Sequence, residues 1–372
     1  MDPERFRQLL TARAPFISVY FDDSHDTADA GDKLALTWRE VCEQLTRDNV
    51  EKRIVDELER AVTDLRAPVG KSGRALIADA DGVILNEHLQ APTATAVRLS
   101  RLPYIVPIIE RGYEYPNYVL AEVDQTGADI TVNVGATLRS ETVDGGGHPV
   151  HKAAGAETPG YGDPQPHVEE AARKNVRAVA DRLTEVADAP GLDPALDMVF
   201  VVGEVQSRSA LLEALPKRIA ELAVELPVGA RHDGHDLSEV QDAIEAECLR
   251  RQLAGIEAAV QRFTAESGRG SGLAVEGLAA VCAGLSQGAV ETLIIGDIGD
   301  ATVVADADLT VTAADPDILS EYGAAPAHTL RADEALPMGA IATGATVVGA
   351  DETIRLADGV AAVLRYPLTA SA

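Results

Sequence analysis

The hydrophobic pattern opens on a strand. From Pro15 to Phe21 every residue except Ser18 is apolar or aromatic, the signature of a strand buried on both faces, and Asp22 to Asp26 follow as a polar loop. Leu34 to Leu45 and Ile54 to Leu65 carry apolar residues at helical spacing. Gly73 to Asp79 and Val83 to Asn86 predict two strands joined at Asp81-Gly82, and Pro107 to Pro116 reads as a linker. A second block begins with strands at Tyr118 to Asp124 and Ile130 to Val134 around Thr126-Gly127. Val168 to Val186 is an amphipathic helix, Met198 to Val202 a buried strand and Ala210 to Val224 a further helix. In a third block Leu237 to Phe263 predicts a long helix broken at Ser267 to Gly272, and Leu273 to Leu285 a second one. Strands follow at Thr292 to Ile295, Thr302 to Ala305, Ile341 to Val348 and Val360 to Tyr366. This alternation predicts a layered α/β protein of three domains, at residues 1–112, 113–232 and 233–372.

Composition narrows the picture. With 46% hydrophobic and 25% charged residues the chain is globular, and with 4% aromatics its cores are built from Ala, Val, Leu and Ile. A net charge of −28 disfavours phosphate backbones and anionic lipid over most of the surface, so any RNA contact must come from local basic spots. Cys42, Cys248 and Cys282 are scattered, with neither disulfide nor metal spacing, as expected of a reducing cytoplasm. No signal core and no membrane-length apolar run is present, so a cytoplasmic protein without membrane or DNA partners is expected.

Candidate chemistry is sparse. Gly284-Leu285-Ser286-Gln287-Gly288 has the Gly-x-Ser-x-Gly form of a nucleophile elbow, but a helix precedes it and a strand follows, the reverse of the required order. Ser267 to Gly272 lacks the Lys-Ser/Thr ending of a phosphate loop. His232 and His235, with Asp233 and Asp236, read as a solvated acidic loop, so no metal or other cofactor is expected. The strongest candidate is Asp144 to His167, with six glycines, four prolines and three histidines. Its His148, His151, Lys152 and Tyr161 suit phosphate contact or base stacking, and Arg173, Lys174 and Arg177 lie on the following helix. In the first block Ser24, His25, Asp26, Lys71, Ser72 and Arg74 lie in or beside polar loops.

These segments carry a resemblance. Gly270 to Asp297, Glu169 to Leu183 and Met198 to Glu204 are similar to elements of archaeal and eukaryotic class-one release factors and Pelota. Ala14 to Trp38, Gly73 to Asp79, Asn86-Glu87-His88, Val150-His151-Lys152, Gly160 to Asp163 and Arg331 to Pro337 together resemble the actinobacterial branch of the Balon family of bacterial ribosome hibernation factors. The resemblance implies a release-factor-like architecture: a mixed α/β N-terminal domain at the decoding centre, a ribonuclease-H-like middle domain and a C-terminal domain of the kink-turn-binding class. It implies a non-enzyme that occupies the A site of idle ribosomes with elongation factor Tu, and leaves open a second hibernation factor there. It also implies large-subunit rRNA contacts from His148, His151, Lys152, Tyr161, Arg173, Lys174 and Arg177. Small-subunit contacts would come from Ser24, His25, Asp26, Lys71, Ser72 and Arg74.

One departure bears on chemistry. Gly145-Gly146-Gly147-His148 carries His where release factors have the Gln of Gly-Gly-Gln, and some twenty residues separate it from the helix that should follow directly. The rival expectations are a peptidyl-tRNA-hydrolysing factor using His148, and a stress-response interaction module that never touches the ribosome.

Overall fold

The computed structural model describes residues 1, 3–65, 68, 70–113, 116–134, 137–144, 165–189, 196–228, 237–350 and 354–369. These form two compact units, Met1–Tyr113 with Leu253–Ala372, and Glu114–Gln252. The first and third sequence blocks thus form one unit where the pattern predicted two, because they share a core.

That unit begins with α1 (Arg7–Thr11) and β1 (Phe16–Asp22), then α2 (Ala30–Arg47) and α3 (Lys52–Asp64). Strands β2 (Gly73–Ala78), β3 (Val83–Leu89) and β4 (Ala96–Ser100) complete an antiparallel sheet of order β3-β2-β1-β4, followed by α4 (Val106–Arg111). Alternate residues of a strand face opposite sides of the sheet. Ile17, Val19 and Phe21 therefore join Trp38, Val41 and Leu45 of α2 and Ile54, Leu58 and Val62 of α3. Phe16 and Tyr20 belong to a second core with Phe6, Leu9, Ile108 and Ile109, which continues into Val281, Leu285, Leu293 and Leu336 of the C-terminal part. The stretch read as a linker holds α4: proline is tolerated in a first helical turn, and Ile108 and Ile109 are buried.

The middle unit is a meander of β5 (Tyr118–Val123), β6 (Gly127–Val134) and β7 (Thr137–Asp144), then α5 (Gln165–Ala187) and β8 (Met198–Gly203). Helices α6 (Val205–Ala214) and α7 (Lys217–Ala220) and strand β9 (Ala223–Glu225) follow. The sheet order is β7-β6-β5-β8-β9, antiparallel through β5 and parallel from β5 to β9. The single helix read at Ala210 to Val224 is instead two helices and a strand, because Pro216 interrupts it. Helix α8 (Leu237–Arg269) contributes Val240 and Ile244 to the core beside β8, and Phe263 to a core with Ile294 and Val363.

The C-terminal part runs β10 (Ala274–Glu276), α9 (Leu278–Ser286), β11 (Val290–Ile295), β12 (Thr302–Ala305), β13 (Thr312–Ala313) and α10 (Pro316–Glu321). It closes with β14 (His328–Arg331), α11 (Ala332–Ala342), β15 (Thr346–Gly349) and β16 (Val360–Leu364). The sheet β10-β16-β11-β15 contains one parallel pair, β11 with β15, and β13-β12-β14 form a small antiparallel sheet. Two readings change here. Gly277, at φ 84°, separates β10 from α9 where one helix was expected. Ile341 belongs to α11, which ends before Gly344 turns the chain into β15. The mixed α/β class is the class the pattern predicted. Among the described residues no helix is long and apolar enough to cross a membrane.

Gly203 ends β8 at φ 137°, and a Cβ there would lie 2.0 Å from the Val123 carbonyl oxygen. Gly203→Ala must therefore break the register of β8 on β5, at a cost of about 3 kcal/mol in chemical denaturation. A loss below about 0.5 kcal/mol would mean that the strand end adjusts freely.

Candidate RNA-contacting surfaces

Two surfaces, one in each unit, present the described residues singled out by sequence. At the first, the segment after β1 runs beside the segment before β2. His25 N donates to Gly70 O at 2.7 Å, Gly70 N to His25 O at 3.2 Å and Asp23 N to Ser72 O at 3.0 Å. Ser24 Oγ donates to Ser72 O at 3.3 Å, and Ser72 Oγ to Asp23 O at 2.9 Å. This ladder holds Ser24 and His25 half-buried, with Asp26 and Lys71 exposed.

Ser72 and Arg74, also expected to touch RNA, are interior. Arg74 is 0% exposed and caps the end of α3, donating from Nη2 to Val62 O at 2.8 Å and Leu65 O at 2.7 Å. Its Nη1 donates to His88 Nε2 at 2.9 Å, which makes that nitrogen the acceptor of a neutral ring. Asn86 Nδ2 donates to Ala61 O at 2.7 Å. Buried Asp23 lies 3.7 Å from Arg74 Nε and 3.7 Å from His88 Nδ1. Neither Asp23 Oδ1 nor Arg74 Nε has a hydrogen-bond partner, so the pair is loosely satisfied. Burial pushes the Asp23 carboxyl above its usual range; Arg74 and His25 oppose this and Asp22 adds to it.

The second surface is α5 in the middle unit. Val176, Val179, Ala180, Leu183 and Val186 bury one face against the middle sheet, while Arg173, Lys174 and Arg177 are exposed. Lys174 Nζ pairs with Glu170 Oε1 at 3.0 Å, four residues back, a contact of little strength at a surface. Arg182 is committed to Glu141 of β7, with two bonds of 2.8 Å. Arg173 and Arg177 have no ion-pair partner among the described residues. His148, His151, Lys152 and Tyr161 lie outside the described residues, as do His232 and His235. No cluster of His, Cys, Asp or Glu among the described residues could hold a metal. Ser286 ends α9 and donates to Thr312 O at 3.0 Å, so helix precedes it, the wrong order for a nucleophile elbow.

Sequence reasoning missed a cavity of about 730 Å³ whose lining mixes the charged and aromatic Arg98, Tyr104, Glu110, Asp297, Arg331 and Asp333 with apolar residues such as Val106 and Ile298. Arg331 and Asp333 stood in a quoted motif, whereas Arg98 and Tyr104 join them only through the fold. Arg98 Nη1 donates to Asp333 Oδ2 at 2.9 Å, and its Cζ lies 3.4 Å from the Tyr104 ring centroid.

Arg74→Met removes a buried cation from Asp23 and strips donors from the end of α3, so a loss of about 3–5 kcal/mol is expected by urea denaturation. A loss under 1 kcal/mol would show that the cap is dispensable. Asp23 also sets a pH dependence. Its folded pKa exceeds the ordinary 3.8, so its contribution is complete below that value and is lost as pH climbs through the raised one. Unfolding free energies of wild type and Asp23→Asn, measured upward from about pH 4, should shift steadily in favour of the variant. A difference independent of pH would contradict the assignment.

Residues 117–269 match bacterial archaeo-eukaryotic release factor family 2. Over 370 residues the chain is 50% identical to the uncharacterized protein Rv2629 of Mycobacterium tuberculosis strain H37Rv, covering 99% of this chain and 98% of that one. Its counterpart MT2704 of strain CDC 1551 gives the same identity, 50%, and coverage. Among solved structures, an archaeal translation termination factor, aRF1, aligns at 18% identity over 98% of this chain and 99% of that chain, with a TM-score of 0.27. The model of ribosome-bound archaeal Pelota and ABCE1 aligns at 13% identity over 99% and 95%, with a TM-score of 0.42. Superpositions this loose carry no functional weight, and membership rests on the sequence matches. The chain belongs to the family of these mycobacterial proteins, and within it residues 117–269 are similar to bacterial archaeo-eukaryotic release factor family 2.

Proposed function

We propose that this protein is a ribosome-binding translation factor that occupies the A site of idle ribosomes together with elongation factor Tu and blocks translation without catalysis. The observation that carries the reading is the release-factor family match over residues 117–269, in a chain whose Gly145-Gly146-Gly147-His148 lacks the glutamine of Gly-Gly-Gln. A release factor uses that glutamine to help position water. Without it, and with sixteen residues between His148 and α5, the same scaffold acts by occlusion.

Contact with large-subunit RNA falls to the segment from Asp144 to His167 and to Arg173, Lys174 and Arg177. Their exposure on α5 supports this. Small-subunit contact falls to Ser24, His25, Asp26 and Lys71. A net charge of −28 is compatible with such binding because, at a Debye length of about 8 Å, only the contacting face is felt. A ribosome-bound role goes with a cytoplasmic location, and it leaves open a second hibernation factor on the same particle.

Co-sedimentation of the purified protein with vacant ribosomes over a salt series tests the reading. Binding should weaken steeply with salt, and Arg173→Ala/Lys174→Ala/Arg177→Ala should flatten the log–log slope by about one unit per phosphate contact removed. Wild-type binding that ignores salt, or a variant with an unchanged slope, would move the contact from RNA to protein.

A further inference from the structure

We infer that the cavity at the carboxyl ends of β11 and β15 is a binding site for a guanine nucleotide. The base stacks on Arg98 and is read by Glu110, and the phosphate is held by Arg355 and Arg331. The inference stands apart from the proposed ribosome role, since it concerns a cavity that reading does not use.

Location is the first ground. β11 and β15 are the parallel pair of their sheet, and open α/β sheets collect ligands beyond the carboxyl ends of parallel strands. The turn after β11, Gly296 to Asp300, and Ala350 after β15 both line the cavity. At about 730 Å³ it has room for a mononucleotide and lies within the range of small-molecule sites.

The second ground is a fixed stacking platform. Arg98 is held against the Tyr104 ring at 3.4 Å, and Asp333 and Glu334 hold its Nη1 at 2.9 and 3.4 Å. Its side chain remains 24% exposed and lines the cavity, so a flat, immobile guanidinium is available for a planar ring.

The third ground is the charged lining. Glu110, Asp297, Asp300 and Asp333 line the cavity together with Arg98, Arg331 and Arg355. Burial pushes the Glu110 carboxyl up and Asp297 adds to this, while Arg111, whose Nη1 donates to Glu110 Oε2 at 3.2 Å, opposes it; that bridge is partly exposed and weak enough for a ligand to displace. Such a carboxylate gains from two parallel N–H donors, which guanine offers at N1 and N2; adenine presents an acceptor at N1. Among the cations of the lining, Arg355 is exposed without an ion-pair partner among the described residues. Arg331 is aimed by Asp333, at 3.0 Å from Nε and 2.9 Å from Nη2. Its remaining bridge, 2.9 Å to Asp300, is to a carboxylate 96% exposed, a weak pairing that phosphate can displace.

Isothermal titration of the full chain with guanosine 5′-monophosphate, adenosine 5′-monophosphate and inorganic phosphate decides the matter. The guanine nucleotide should bind about tenfold tighter than the adenine one, as one hydrogen-bonded charged group allows, and phosphate more weakly than either. Glu110→Gln should bring the two nucleotides level. Arg355→Ala, at an exposed position, should weaken both severalfold and leave their ratio intact, with near-ultraviolet circular dichroism confirming that each variant is folded. A uridine-rich pentaribonucleotide containing one guanosine separates the sources: competition at matching affinity means a base extruded from RNA, and failure to compete means a free nucleotide. No binding at millimolar guanosine 5′-monophosphate, equal binding of phosphate alone, or a guanine preference that survives Glu110→Gln overturns the inference.

Discussion

Strand β1 is apolar on both faces, and most of the larger unit follows from that. A strand of this kind is stable only when something covers each side. One side is covered locally by α2 and α3, through Trp38, Leu45, Leu58 and Val62. The other side carries Phe16 and Tyr20, in one core with Leu285, Leu293 and Leu336 from residues more than 250 positions later. The N-terminal and C-terminal parts are therefore one unit. Severing them would expose an apolar surface of the kind that soluble proteins bury.

An acidic chain has few cations, and where it places them is informative. Arg74 is spent entirely on the interior, at the end of α3 beside Asp23 and His88. Arg98 and Arg331 share Asp333, and with it they tie β4, β14 and the start of α11 together. These positions account for several motif residues quoted from the sequence: Asn86 and His88 serve the first cluster, Asp333 and Glu334 the second. Lys71 in the larger unit and Arg173, Lys174 and Arg177 in the middle unit are exposed instead.

Legibility followed physical rules. Strongly periodic elements such as α2 and α3 and the double-faced β1 were readable, since burial imposes their spacing directly. Short elements were not. β7 is an edge strand with Arg139, Ser140, Glu141 and Thr142 among its residues, and it lacks the apolar alternation that announces a strand. Helix α4 hid behind Pro107, read as a breaker although a first turn accepts it. Arg74 looked like a loop cation because its neighbours are polar, and only the approach of α3 makes it a buried cap. The Arg98–Tyr104 platform joins Arg331 and Asp333 across more than 220 residues, and nothing local in the sequence announces such a pairing.

The central claim is occupation without chemistry. Vacant ribosomes charged with labelled peptidyl-tRNA in the P site, incubated with stoichiometric protein and then offered an A-site aminoacyl-tRNA, report both halves at once. The account predicts that A-site binding is blocked while the peptide stays on its tRNA at the background rate. Peptide release above background that disappears in His148→Ala would contradict it, and so would an A site that remains open.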